Sequence, residues 1–85
     1  MISHKAFNKF VAVVDRYYLC DYSYDNRVGG TYFAIDREAH THVYISRLST
    51  GYIYFVHVKD GRRFAKTVKT YREYNEMTKL IKTFI

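Results

Sequence analysis

Histidines are the residues whose type and spacing first suggest chemistry. His40 and His42 alternate, so they share one face if their segment is extended, and His57 lies in a separate strand-like segment. A zinc site needs three or four convergent ligands, but the chain contains one Cys and no His-x₃-His pair on a helix. We therefore predict no metal and no cofactor, and expect these histidines to be ordinary surface or half-buried residues.

The same histidines supply the groups from which a small nuclease is built. That chemistry needs a general acid and a general base near neutral pH, with cations that steady the phosphate. No sequence spacing fixes such a geometry, Cys20 lies in no nucleophile motif, and Gly29-Gly30 lacks the pattern of a phosphate-binding loop. We predict that the protein is not an enzyme and keep a His-dependent nuclease as the weakest alternative. Its parts would be His40, His42, His57, Lys59 and Arg63.

The positive charge of the chain is concentrated in its last third. The 85 residues include 14 Lys and Arg and 8 Asp and Glu, a net charge of +6. Residues 1–58 contribute +1, from six cations and five carboxylates, and residues 59–85 contribute +5, from eight cations and three carboxylates. Clustered cations attract polyanions, and the counterions released from nucleic acid favour binding. A solvated surface is the alternative explanation.

Aromatic residues are interleaved with these cations. Exposed Tyr or Phe rings stack on unpaired bases. Tyr also suits sheet faces and protein interfaces, so we expect most of the ten Tyr to be structural. We predict a non-catalytic RNA-binding surface whose binding is independent of sequence and weakened by salt. Its residues are Lys59, Arg62, Arg63, Phe64, Lys66, Lys69, Tyr71 and Arg72.

Helical patterns occur at both ends of the chain. Apolar residues from Phe7 to Tyr18 recur at helical spacing and predict a helix over 3–19, with Ser3 as its cap. Thr70 and Glu73 have the spacing of a capping box and predict a second helix from residue 71 to the end.

Strand patterns fill the middle of the chain. Tyr52–Lys59 is apolar on both faces, which is typical of a central strand or of one covered by helices. Asp60-Gly61 predicts a type I′ hairpin turn that pairs Lys59 with Arg62, like charges that repel unless an anion or solvent screens them. Residues 20–30 are rich in turn-forming residues and predict a loop, with Tyr22 and Tyr24 at the core edge or facing a partner. The predicted strands are Thr31–Asp36, Val43–Arg47, Tyr52–Lys59 and Arg62–Val68.

These elements predict a single α+β domain over residues 1–85. Its antiparallel sheet of about four strands is packed by an N-terminal and a C-terminal helix, in the order αββββα. A lone Cys forms no internal disulfide, and no apolar run approaches the ~20 residues of a membrane span. The apolar run Phe10–Val14 is too short for a signal-peptide core. We expect a soluble, cytoplasmic protein with no membrane partner.

In size, basic Tyr-rich composition and lack of enzymatic motifs, the chain resembles a small early protein of a T-even-type bacteriophage. It is most similar in character to the TifA-type inhibitors of the ToxN endoribonuclease toxin. The residues that prompt this are Lys59, Asp60-Gly61, Arg62, Arg63, Lys66, Lys69 and the 71–85 helix. The resemblance implies an anti-defence protein of the host cytoplasm that neutralises a toxin RNase, with RNA in the inhibitory complex.

Other partner classes remain open at this stage. A protein-only inhibitor or adaptor would dock on an acidic host protein or on a sheet edge. The sequence also leaves open whether RNA or DNA is bound, and whether the chain forms a homo-oligomer.

Overall fold

The computed structural model describes residues 2–17 and 21–84, which form one antiparallel sheet with a helix at each end of the chain. The five strands pair as a meander in the order β1-β2-β3-β4-β5. The predicted α+β class is confirmed, with five strands where about four were expected. The elements are α1 (His4–Tyr17), β1 (Tyr22–Asn26), β2 (Thr31–Asp36), β3 (Thr41–Arg47), β4 (Ile53–Lys59), β5 (Arg62–Val68) and α2 (Tyr71–Phe84).

Helix α1 begins at the predicted cap. Ser3 Oγ accepts a hydrogen bond from the Ala6 N–H at 3.1 Å, which satisfies one of the free amides of the first turn. The predicted apolar stripe is buried, with Phe7 and Phe10 fully inaccessible to solvent. The predicted continuation of the helix to residue 19, the side chains of residues 17 and 18, and residue 20 lie outside what the structure describes.

An edge strand occupies residues 22–26, where the sequence predicts a loop. In β1, Tyr22 pairs with Ile35 and Tyr24 pairs with Phe33 of β2. Every residue of β1 is exposed, so the strand lacks the apolar alternation by which strands are recognised. The turn chemistry acts only after the strand, where Asn26 Oδ1 accepts a hydrogen bond from the following turn at 2.9 Å.

The β4–β5 hairpin forms in the predicted register. Asp60 and Gly61 have φ values of 51° and 80°, the left-handed conformations that a type I′ turn requires. Lys59 therefore lies directly opposite Arg62. β4 is an interior strand between β3 and β5, in agreement with its apolar sequence.

Both helices pack on the same face of the sheet. Helix α2 is capped as predicted, with Thr70 Oγ1 accepting a hydrogen bond from the Glu73 N–H at 3.2 Å. Tyr74 Oη donates to the Ala6 carbonyl at 2.9 Å and ties α2 to α1. We call the sheet face under the helices the covered face, and the opposite one the open face. The buried cluster between the helices and the covered face is Ile2, Ala6, Phe7, Phe10, Val11, Val14, Tyr32, Ala34, Val43, Ile45, Ile53, Phe55, Val68, Met77 and Ile81.

Candidate nucleic-acid interface

A groove lies on the covered face at the turn of the β4–β5 hairpin. Its volume is about 630 Å³, within the range of sites that hold small molecules. We call it the hairpin groove. Its lining residues are His57, Lys59, Asp60, Arg62, Arg63, Phe64 and Thr83.

Strand alternation and the return of α2 along β5 assemble this groove. His57 and Lys59 are two residues apart in β4 and point to the same face, where His57 pairs with Phe64 and Lys59 with Arg62. Helix α2 contributes Thr83 from its last turn. The groove therefore combines residues from two paired strands with the distant end of a helix.

The cations of the hairpin groove have little nearby negative charge. Lys59 and Arg62 are exposed and directly opposite one another, an arrangement in which like charges repel. Across the described ranges, no ion pair involves Lys59, Arg62 or Arg63. Asp60 is the only carboxylate among the lining residues that the structure describes. The groove is therefore suited to an anion.

His57 lies at the buried end of the groove, where only 5% of its surface is exposed. Burial lowers the pKa of His57, and the charges of Lys59 and His42 lower it further, so the imidazole is neutral near pH 7. Phe64 is half-buried, and its ring packs edge-on against Phe55 at 6.2 Å. Phe64 therefore forms part of the groove wall and of the core, rather than a free ring.

Two of the predicted site residues already have carboxylate partners. Lys66 Nζ lies 3.2 Å from Glu73 Oε2, and Arg72 Nε lies 3.7 Å from Glu76 Oε1. The Lys66 ammonium also lowers the pKa of Glu73. Because these ion pairs offset part of their charge, Lys66 and Arg72 are weaker candidates for phosphate contacts than the groove residues.

The two remaining predicted residues lie near the start of α2. The Tyr71 hydroxyl accepts a hydrogen bond from the Ser3 N–H at 3.1 Å, a contact that lowers the pKa of Tyr71. The Tyr71 ring packs edge-on against Tyr74 at 6.0 Å. Lys69 Nζ lies 6.0 Å from the centre of the Tyr52 ring. The structure thus brings Lys59, Arg62, Arg63 and Phe64 to one groove, and distributes the other four along β5 and α2.

The histidines do not converge. His40 has a φ of 54° in the β2–β3 turn, so the extended backbone that would align it with His42 is absent. His42 pairs with Val58 on the open face, whereas His57 is on the covered face. Among the described residues, no group of three or more His, Cys, Asp and Glu is arranged to hold a metal ion. A general acid and base on opposite faces of a sheet cannot serve one reacting phosphate.

The open face is the feature that sequence reasoning missed. Tyr24, Phe33 and Tyr44 lie side by side in one register row across β1, β2 and β3. The available signal was the alternate spacing of aromatic residues in three successive strands. A strand that is apolar on both faces predicts cover on both, but here the helices cover only one.

Comparison of the chain with protein-family models, with curated proteins and with solved structures finds no match. The functional argument therefore depends on the side chains themselves. In the part of the chain that the structure describes, no helix is both long enough and apolar enough to cross a membrane.

Proposed function

We propose that the protein is a non-catalytic RNA-binding protein that holds the phosphate backbone in the hairpin groove. The observation that carries this proposal is the like-charged pair of Lys59 and Arg62, directly opposed at the groove and without ion-pair partners among the described residues. An anion between the two side chains relieves their repulsion. A polyanion also gains the free energy of counterion release.

The proposed mode of binding reads charge rather than sequence. Contacts to phosphates fix the position of a strand but carry no base information. Arg62 and Arg63 are consecutive residues of an edge strand, so they offer cations to both sides of the sheet edge. RNA is preferred to DNA because of the resemblance to the phage inhibitors.

On the same resemblance, we propose that the protein acts in the host cytoplasm. There it would neutralise a toxin RNase, with RNA as part of the complex. The hairpin groove would hold the RNA, which leaves the rest of the surface to contact the toxin.

The test is a double charge reversal in the groove, Lys59→Glu with Arg62→Glu. Both side chains are exposed and free of ion pairs within the described structure, so we expect the fold to be retained. Reversing Lys66 instead would place a second carboxylate beside Glu73 and weaken the fold for an unrelated reason. The matched control is Lys5→Glu with Lys9→Glu, which changes the net charge equally on the exposed side of α1.

Fluorescence anisotropy with labelled RNA over a series of salt concentrations is the measurement. Loss of two phosphate contacts should lower the salt slope by about 1.4 to 1.8 and the affinity at low salt by about tenfold or more. The α1 control should keep the parental slope. Equal losses in both variants would show that net charge alone drives binding, and would overturn the groove assignment.

Melting temperatures of both variants by circular dichroism identify any loss of fold. The same pair of variants can then be added to a ToxN-type RNase with an RNA substrate. Loss of inhibition in the groove variant alone is the result expected for the toxin-directed role.

A further inference from the structure

We infer that the open face is a stacking platform for the bases of single-stranded RNA, so that one RNA strand is held by its phosphates at the hairpin groove and by its bases across the sheet. The choice of ligand rests on the proposed RNA-binding function. The platform itself rests on observations that are independent of the groove.

The aromatic side chains of the open face form a continuous row. Tyr24 is paired with Phe33, and Phe33 is paired with Tyr44, on strands about 4.8 Å apart. The Phe33 ring also lies 6.1 Å from the ring of His42 in the adjacent row. This row presents ring surface across three neighbouring strands, with Tyr22 beside it on β1.

These rings remain accessible in the folded chain. Tyr22 and Tyr24 are 51% and 49% exposed, and Phe33 and Tyr44 are half-buried by their neighbours. Exposed aromatic surface that is contiguous rather than scattered is typical of a binding site. A base covers an aromatic ring from one side, which is the side that an uncovered sheet leaves open.

The charge of the open face favours an anionic ligand. By the alternation of the strands, none of the described strand residues that point to this face is Asp or Glu. Arg63 does point there, and its Nη2 donates to Tyr54 Oη at 2.9 Å. This hydrogen bond holds a guanidinium at the border of the aromatic surface, where it can contact a phosphate.

The groove and the platform meet at the same sheet edge. β5 is an edge strand, with Arg62 on the covered face and Arg63 on the open face. An RNA strand that crosses this edge passes from the cations of the groove to Arg63 and then to the rings. A stacking ligand with phosphates is therefore a better match than an apolar protein surface.

The test removes rings while keeping apolar volume, with Tyr24→Leu and Tyr44→Leu in one variant. The matched control is Tyr24→Phe with Tyr44→Phe, which keeps both rings and removes only the hydroxyls. The probes are a labelled oligouridylate of about 12 nucleotides, an RNA duplex of the same length and an oligothymidylate of the same length.

Loss of stacking should weaken oligouridylate binding by about tenfold or more in the Leu variant, with an unchanged salt slope. Duplex binding should be unchanged, because paired bases offer no free ring face. The Phe variant should bind like the parent protein. Equal affinity of the Leu variant and the parent for oligouridylate overturns the platform, as does a parallel loss of duplex binding.

The groove and platform can fail separately. If the Lys59→Glu, Arg62→Glu protein binds oligouridylate normally while the Leu variant does not, the platform stands and the groove assignment fails. If only the groove variant loses binding, the platform fails. Sedimentation of the free protein provides the remaining check: a dimer that the Leu variant dissociates, with RNA binding unaffected, assigns the open face to a second copy instead. Equal affinity for oligothymidylate extends the platform to DNA.

Discussion

The two faces of the sheet are built from the same strands but have different chemistry. On the covered face, Val43, Ile45 and Phe55 are at most 1% exposed and lie under two helices. On the open face, the alternate residues of the same strands include Tyr44 and Tyr54, which are half-buried with no helix above them. The comparison shows that residue alternation lets one strand contribute to stability on one side and to binding on the other.

The hairpin groove lies where this division ends. Near the hairpin turn, the covered-face positions change from apolar residues to Lys59 and Arg62, which are exposed. The helices give cover to the sheet centre, where Phe10 meets Phe55 edge-on at 5.9 Å. At the hairpin end, the covered face also becomes a binding surface. Both candidate RNA contacts are therefore places where the strands extend beyond the helices.

The largest effect expected from this comparison is on stability, from Phe10→Ala. Phe10 is fully buried, and its ring lies 5.9 Å from Phe55 and 5.7 Å from Tyr74. Its truncation should lower the free energy of unfolding by about 3–5 kcal/mol, because a cavity remains between the helix and the sheet. Urea unfolding followed by circular dichroism measures this loss.

The open-face counterpart is Phe33→Ala, which removes the same side chain from the other side of the sheet. Since Phe33 is half-buried and has no helix above it, we expect a loss of only about 1 kcal/mol. Equal losses would contradict the division between the faces, and would indicate that the open face is covered in the free protein.

Local patterns predicted the parts of the fold that depend on near neighbours. The Ser3 cap, the Thr70–Glu73 pair and the Asp60-Gly61 turn are all set by residues within a few positions of one another. Strand β1 was missed because its side chains are exposed, and only its pairing with β2 makes it a strand.

The candidate site depends on contacts that are distant in sequence. The cations at 59–63 were identified from composition, but the groove also needs Thr83, which only the docking of α2 brings near. The open face follows from the fact that both helices choose the same side of the sheet. Tyrosines at alternate positions are compatible with either choice, so the sequence alone does not distinguish them.

A smaller effect should separate two tyrosine hydroxyls on the two faces. The Tyr32 ring is fully buried on the covered face, and its Oη donates to Asp15 Oδ1 at 2.8 Å. Tyr32→Phe should lower the free energy of unfolding by about 1–2 kcal/mol, since a hydrogen bond to a charged group is lost. Tyr54→Phe removes an exposed hydrogen bond from Arg63 and should change it by less than about 0.5 kcal/mol. A cost for Tyr54→Phe that matches that of Tyr32→Phe, in the same urea experiment, contradicts this assignment.

The smallest effect concerns pH and the two histidines that the sheet separates. The pKa of His57 is lowered by burial first, and then by Lys59 and His42, whereas in the unfolded chain it should be near the ordinary value of about 6.5. Between these two pKa values the unfolded chain binds more protons than the folded one, so stability should rise with pH across that window. Melting temperatures between about pH 5.5 and pH 7.5 should show this rise, and His57→Leu should flatten it.

The open-face variant His42→Leu is the control for this pH dependence. His42 is the last of the three causes that lower the pKa of His57, and burial, the first, remains when His42 is replaced. The rise with pH should therefore persist in His42→Leu. Equal flattening in both variants would mean that the two histidines titrate as a coupled pair through the sheet, and the covered face would then lose its separate role in the pH response.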